Sequence, residues 1–340
     1  MNAYRPLVTV IIPNYNHERS LPLCLAAVQE QTYPALEIVM VDDRSTDGSV
    51  RVAESMGITV MSTQVNGGSA VARNTGAHQA SGEILFFVDS DIALAPDAVE
   101  RAVALLSADP SIGAVCGIED PDPLFRDSRV EDYRALQHHY WTIDTAGEVS
   151  FLWSAMFAMR AEVFAEVGPF NPSLRYTEEV DYGHRINRRY RLLSTPAIHG
   201  RLDHDAELGP LLRKLFHRGR LRVPLYAKKR RFARGYETAS RAWSSLASLL
   251  AVAALPLPLV LGPVWAPVPA LLLAASLALD AGMYRFVFAR RCPVFGVYFV
   301  GVHFLVNLVI SAAVIAGMLQ WLASARFREI YDAPAPVTVT

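Results

Sequence analysis

Cysteine is scarce in this chain of 340 residues: Cys24, Cys116 and Cys292 stand far apart, with no paired or metal-ligand spacing. That excludes a disulfide framework and fits a reducing compartment. No charged segment followed by a long apolar run opens the sequence, so no signal peptide is expected. A net charge of −1 supplies no global field to select a nucleic-acid partner. The G-x-G-x-x-G fingerprint of a dinucleotide fold is missing after the first strand, which excludes a plain NAD-type domain. Two further absences are local. No acid occurs between Leu211 and Tyr236, where there are ten Lys and Arg, and no charge at all between Arg241 and Asp280, a run of 38 residues.

As one helix, the uncharged run would reach about 57 Å at 1.5 Å per residue. The hydrocarbon core of a bilayer is roughly 30 Å thick, so two crossings fit better than one. The segment GPVWAPVP (262–269), with three prolines and a glycine, reads as the turn, and Trp265 suits an interface. A second uncharged run extends from Cys292 to Ala325. The expected membrane region is therefore 241–325, with helices at 243–262, 265–287 and 295–319, and a tail at 326–340. These stretches show no polar cluster that would line a conduction path, which argues against a channel or transporter.

Positive charge belongs on the cytoplasmic side. The basic stretch 211–240 and the loop with Arg285, Arg290 and Arg291 then face the cytoplasm, with the C-terminus outside; Arg326 and Arg328 argue mildly the other way. A re-entrant first pair and a buried helical core of a soluble protein are the competing readings. The expected location is the inner membrane, multi-pass, with a cytoplasmic N-terminal domain. In 211–236 cations alternate with Leu, Phe, Val and Tyr, the composition of a segment lying on an anionic leaflet. Nucleic acid is not expected, because a membrane anchor follows at once.

The first 210 residues read as alternating strands and helices. VTVIIPNYN (8–16) opens with a β-branched strand that Pro13 is expected to end. A helix follows over 20–31, with Ser20 as cap. LEIVMV (36–41) is a strand, 48–56 a short helix and ITVMST (58–63) a strand. Residues 66–82 give a Gly loop, a helix and a Gly stop, and ILFFV (84–88) is the next strand. This βαβαβαβ order predicts an α/β fold with a parallel sheet wound by helices. Ligands of such sheets bind beyond the carboxyl ends of the strands. Those ends are Pro13–Asn16, Asp42–Asp43 and Asp89-Ser90-Asp91. Two carboxylates one residue apart at the end of a buried strand repel each other and lose hydration. A hard divalent cation, Mg2+ or Mn2+, taking carboxylate and phosphate oxygens, would offset that.

Six segments then occur in an order that resembles family 2 glycosyltransferases, inverting enzymes of GT-A fold: VTVIIPNYN, VDDRSTDGS, NGGSAVARNTGA, FFVDSDI, EVGPFNPSL and TEEVDYGHRI. The resemblance covers about residues 7–235. It implies a GT-A (nucleotide-diphospho-sugar transferase, Rossmann-like) domain over 1–210, a nucleotide-diphosphate sugar as donor, UDP-sugars first, and a divalent metal. By motif, Pro13 and Tyr15 would cup the nucleoside. Asp42 would hydrogen-bond the base with Asp43 beside it, Arg73 would contact the base side or phosphate, Asp89 and Ser90 would lie near the ribose, and Asp91, Asp89 and His204 would face the metal.

Inversion in one step needs a general base opposite the leaving diphosphate. The resemblance gives that role to Glu179, where the family has Asp; Glu178 is an adjacent substitute, and Asp181 shares a helix face with Glu178 and Arg185. Asp181 and Arg185 then also read as a structural ion pair. Trp153 fits either a sugar-stacking platform or the core. Arg213, Arg218 and Arg220 fit either phosphate contacts or membrane-surface charge. Residues 119–160 are otherwise undecided. The expected activity is sugar transfer to a glycan or lipid-linked acceptor at the inner face of the membrane, with membrane lipids as neighbours. A polyprenyl-phosphate sugar transferase and a noncatalytic scaffold are the alternatives.

Overall fold

A computed structural model of the protein describes residues 4–174, 177–229 and 239–331. Residues 230–238 of the basic stretch and the tail beyond 331 lie outside the described residues. The chain forms two compact units. Of the described residues, the first comprises those up to Arg126 together with Trp141–His204, and the second comprises Asp127–Tyr140 and those from Asp205 to Tyr331.

The first unit holds strands β1 (Val8–Asn14), β2 (Leu36–Asp42), β3 (Val60–Ser62), β4 (Ile84–Val88), β5 (Ile92–Leu94), β6 (Ile112–Glu119), β7 (Gly147–Val149), β8 (Met156–Arg160) and β9 (Arg191–Leu202). Its helices are α1 (Leu21–Gln29), α2 (Ser49–Ser55), α3 (Ser69–Gln79), α4 (Ala98–Ala108), α6 (Ala161–Val167) and α7 (Glu178–Ile186), while α5 (Arg129–Ile143) runs across the division. All nine strands form one sheet of order β3-β2-β1-β4-β8-β6-β9-β5, with β7 on β9. The expected parallel arrangement holds for β3-β2-β1-β4. Beyond β4 the sheet is mixed: β8 is antiparallel to β4 and β6, β6 is parallel to β9, and β5 and β7 are antiparallel to β9.

Alternate residues of the central strands feed two cores. Val8, Val10 and Ile12 of β1 and Phe86 and Val88 of β4 pack with Leu21, Leu25 and Val28 of α1 and with α4. Ile11, Leu85 and Phe87 face the other way, toward Phe157, Phe170 and Tyr182. A strand buried on both faces reads as an unbroken apolar run, as 84–88 does. Pro13 does not end β1: the strand runs on to Asn14, paired with Asp42. β1 pairs with β4 only from Val8 to Ile11, so at Pro13 that neighbour needs no N–H donor. Ser20 stands at the N-cap of α1 but makes no side-chain cap bond; a proline at the first turn already removes one orphan donor there.

The second unit is helical: the 127–140 part of α5, then α8 (Leu208–Lys229), α9 (Ala239–Ala253), α10 (Leu257–Leu261), a 3-10 turn (Pro263–Trp265), α11 (Pro267–Leu279), α12 (Ala281–Arg290), α13 (Pro293–Ala323) and α14 (Ala325–Arg328). Among the described residues α13 is long and apolar enough to cross a membrane, with a mean hydropathy of 2.3. Residues Pro263–Leu279 and Ala281–Arg290 pass the same test only as one pair, bent by 63°. Over the segment expected as the first helix, α9 stops at Ala253 and a short α10 resumes around Pro256 and Pro258.

The expectation of no polar cluster among these helices is overturned. Asp280 Oδ2 accepts from His303 Nε2 at 3.2 Å, from Asn307 Nδ2 at 3.3 Å and from the Ser244 hydroxyl. His303 Nδ1 in turn meets the Tyr133 hydroxyl at 3.1 Å and Gln137 Nε2 at 3.0 Å, both on α5. Ser248 and Ser276 bond each other at 2.6 Å. The polar residues are spaced four apart on each helix, 244 and 248, 276 and 280, 303 and 307, so each set shares one face. A linear reading of hydropathy dilutes them among apolar neighbours.

Candidate active site

The carboxyl ends of β1, β2 and β4 lie side by side and carry the polar residues. Asn14 Nδ2 donates to Asp42 Oδ1 at 3.0 Å and to Ser45 Oγ at 3.1 Å, and the Ser45 backbone N donates to Asp42 Oδ2 at 2.9 Å. The Ser45 hydroxyl also bonds Asp42. Asn16 adopts a positive φ of 58°, which lets its own N–H reach Ser45 Oγ (2.9 Å) while its Oδ1 accepts from Thr46 N (2.7 Å). The first two loops are thereby laced together. Asp42 is buried, Pro13 is packed within β1, and Tyr15 stands 45% exposed at the rim.

Asp43 does a different job from its neighbour. Its carboxylate accepts from Thr63 Oγ1 (2.8 Å), Gly67 N (3.0 Å) and Gly68 N (2.6 Å). Gly68 has φ +87°, a conformation that favours glycine, and it is the residue from which α3 starts. Asp43 thus braces the loop that launches α3.

Helix α3 delivers Arg73, whose side chain is only 2% exposed. Its Nη2 meets Asp89 Oδ1 at 2.8 Å and its Nη1 meets Glu178 Oε1 at 3.2 Å. Ser69, one turn earlier, donates to the same Glu178 oxygen at 2.6 Å. A guanidinium therefore offsets Asp89. Burial still pushes the Asp89 carboxyl above its ordinary value, with Arg73 opposing.

Asp91 has no such partner. Its Oδ1 is buried without a hydrogen bond. Burial first, then the charges of Asp89, Asp203 and Glu119, hold its carboxyl well above the usual range. These acids come from three strand ends. β5 begins just after Asp91, pairing Ile92 with Leu202 of β9, and Glu119 ends β6. His204 Nε2 lies 3.4 Å from Glu119 Oε2, both buried.

This donor set fits one hard cation at Asp91. The orphaned carboxylate oxygen and its acidic neighbours supply the field, and the substrate would supply further oxygens. It is not a ready-made cage: among the described residues no three His, Cys, Asp or Glu side chains are arranged to hold an ion.

Helix α7 begins with Glu178 and Glu179 and has Asp181 in its first turn, at the end where helix dipoles favour acids. Glu178 is committed to Arg73 and Ser69. Asp181 Oδ2 pairs with Arg185 Nε at 3.1 Å, the ion pair that the i, i+4 spacing suggests. Glu179 is buried, 8% exposed, and its charge reaches Arg73. Trp153 sits partly buried beside Ser154, whose carbonyl accepts from Arg73 at 3.4 Å, with its ring edge-on to Phe151. Ser90 is buried between the two aspartates. Arg213, exposed, and Arg218, partly buried, are on α8 in the second unit.

The structure thus links Arg73, Asp89, Glu178 and, through its field, Glu179, and places His204 beside Glu119, whose charge acts on Asp91. Sequence reasoning placed Asn14 at a strand end without giving it a role, and missed Ser45, Ser69, Glu119 and Asp203. Asp203 was signalled by its place next to His204; Glu119 carries no local signal, because it ends an otherwise apolar strand.

Residues 9–168 match the family model described as glycosyl transferase family 2. The chain is 28% identical over 237 residues to glycosyltransferase AglE of Haloferax volcanii, covering 66% of this chain and 76% of that protein. It is 25% identical over 182 residues to an uncharacterized glycosyltransferase of Haemophilus influenzae, covering 52% of this chain and 60% of that one. Among solved structures, mannosyltransferase PcManGT from Pyrobaculum calidifontis, in complex with GDP-Man and Mn2+, superposes with a TM-score of 0.57 at 24% identity, over 94% of this chain and 88% of that one. That likeness establishes a shared fold.

Proposed function

Because residues 9–168 carry a glycosyl transferase family 2 domain, we propose that the protein moves a sugar from a nucleotide-diphosphate donor to an acceptor hydroxyl, with inversion at the anomeric carbon. The observation that carries this reading is the division of labour among the acids. Asp89 and Glu178 are paired with one buried arginine, Asp91 is left with an orphaned oxygen, and Glu179 follows Glu178 at the start of α7.

In this mechanism Asn14, Asp42 and Ser45 shape the floor on which the nucleoside sits, with Tyr15 at its rim. Asp91, with His204 beside Glu119, would hold the divalent cation, which when bound supplies positive charge to the departing diphosphate. Arg73 holds Asp89 and Glu178 in place between the donor side and α7. Glu179 takes the proton of the acceptor hydroxyl on the face opposite the leaving group. Such a base typically contributes on the order of 10²- to 10⁴-fold.

The acceptor is a lipid-linked glycan and the site works at the inner face of the membrane. The apolar α13 and the basic, partly apolar α8 support that reading. Arg213 and Arg218 then meet phosphate at the membrane surface, and Trp153 stacks on a sugar. The fold neighbour holds GDP-mannose with Mn2+, so GDP-mannose stands beside UDP-sugars among the donors to be tried.

The test is release of nucleoside diphosphate from UDP-glucose, UDP-N-acetylglucosamine and GDP-mannose by the full chain in detergent, with Mn2+ or with EDTA. Metal-dependent release that Asp91→Ala abolishes is expected; no release from any donor sinks the reading. Adding bare polyprenyl phosphate or a lipid-linked glycan separates the two acceptor classes.

A further inference from the structure

The short segment Gly168-Pro169-Phe170, between α6 and α7, is held from two sides. From α3, Asn74 Oδ1 accepts from the Phe170 N–H at 2.8 Å and Asn74 Nδ2 donates to the Phe170 carbonyl at 2.9 Å. This two-point bond imitates a strand pairing. From α7, Arg185 Nη1 donates to the Val167 carbonyl at 3.0 Å and Nη2 to the Pro169 carbonyl at 2.6 Å, while Nε keeps Asp181. The Phe170 ring is fully buried and stacks on Tyr182 of α7, with ring centroids 3.9 Å apart. Gly168, at φ +80°, makes the turn that aims the three carbonyls.

Resting on the reading of Glu179 as base, we infer that Asn74 and Arg185 are positioning residues that clamp Gly168–Phe170 between α3 and α7. Each is close in sequence to a residue of the site. Asn74 follows Arg73, which holds Asp89 and Glu178, and Arg185 shares α7 with Glu178 and Glu179. The clamp ties Asn74 of α3 to Phe170, 96 positions further along the sequence, while Arg73 ties α3 to Glu178 at the acid-bearing start of α7. Ser69 on Glu178 is a tie of the same kind, made directly to the acid. The clamp sets how far the base stands from the donor side. A misplacement of roughly 1 Å there lowers turnover about 100-fold without weakening donor binding much.

The experiment compares the full-length chain in detergent with Asn74→Ala, Arg185→Lys and Glu179→Gln. Nucleotide binding is titrated with UDP and GDP in Mn2+, turnover is read as nucleotide release from the same three donors, and amide hydrogen exchange is followed by mass spectrometry. Expected for Asn74→Ala is a kcat per nucleotide-binding site at least tenfold lower, a donor KM within threefold of wild type, and faster exchange over 168–170 and 178–182 with β1 to β4 unchanged. Arg185→Lys, which keeps the charge opposite Asp181 but not the carbonyl fork, falls between. An unchanged kcat per binding site in both variants overturns the inference, as does a loss of turnover that merely follows a loss of binding sites. Should Asn74→Ala fail to fold, Arg185→Lys decides. Full activity of Glu179→Gln would reject the base and leave the clamp standing. A wild-type chain that releases no nucleotide would reject the transferase reading, and exchange at 178–182 unaltered by the substitutions would then overturn the clamp on its own.

Discussion

Arg73 meets Asp89 at 2.8 Å with its own side chain 98% removed from solvent, and the same guanidinium reaches Glu178 at 3.2 Å. One buried cation thus joins the turn after β4 to the first residue of α7. Removing one member of a buried charge set leaves the others uncompensated, whereas removing matched partners is milder. Arg73→Ala should therefore destabilise the chain by about 3–5 kcal/mol. The double variant Arg73→Ala with Glu178→Gln should lose less than the sum of the two single changes. Urea unfolding of the single and double variants measures the coupling.

Glu178 and Glu179 are adjacent, but their surroundings separate their roles. Glu179→Gln should lower kcat by about 10²- to 10⁴-fold while leaving the unfolding midpoint within a few degrees of wild type. Glu178→Gln should show the reverse balance, a clear drop in midpoint and a smaller loss of turnover per folded molecule. Paired thermal unfolding and nucleotide-release assays distinguish the two.

The Asp91 carboxyl, raised by burial and then by Asp89, Asp203 and Glu119, has a pH signature. A carboxyl with a raised folded pKa holds its proton to higher pH in the folded chain than in the unfolded one. Its stabilising contribution is full below about pH 4, the unfolded value, and is lost as pH climbs through the folded value. In EDTA, Asp91→Asn should therefore gain stability relative to wild type as pH rises from about 4. Added Mn2+ should raise the midpoint of wild type and leave that of Asp91→Asn where it was.

In the helical unit, Asp280 collects donors from Ser244, His303 and Asn307. Asp280→Ala takes this acceptor from His303 Nε2, while the Ser244 hydroxyl keeps the Ser276 carbonyl at 3.3 Å and Asn307 Nδ2 keeps Ser244 Oγ at 3.1 Å, and a buried unsatisfied group costs about 1–3 kcal/mol. Replacing Asp280, His303 and Asn307 together by leucine should cost more, because it also takes partners from Tyr133, Gln137 and Ser245. Unfolding midpoints of the detergent-solubilised chain, ranked wild type, Asp280→Ala, triple variant, check this.

The strands β1, β2 and β4 were legible because each is a β-branched or aromatic run closed by a polar pair. β9 was not: its 12 residues include Pro196 and Gly200, and its exposure alternates irregularly because it pairs with three different strands along its length. The mixed half of the sheet followed from pairings between distant residues that no local pattern announces. In the site, the acids at the strand ends could be named from position alone. Which of them are already satisfied could not, since that depends on Arg73 being swallowed by the core and on Gly67 and Gly68 turning their N–H groups to Asp43. Asp43 consequently looks like a ligand contact in the sequence and works as a brace in the fold.

The division of α5 has a practical corollary. Residues 127–140 lie between β6 and β7 in the sequence but build the helical unit, where Tyr133 and Gln137 meet His303. A chain cut after His204 to obtain a soluble catalytic fragment would carry that helix stripped of its packing partners. Such a truncation should aggregate or shed the helix to proteolysis, and deleting 127–140 along with the C-terminal part is the edit more compatible with a well-behaved fragment.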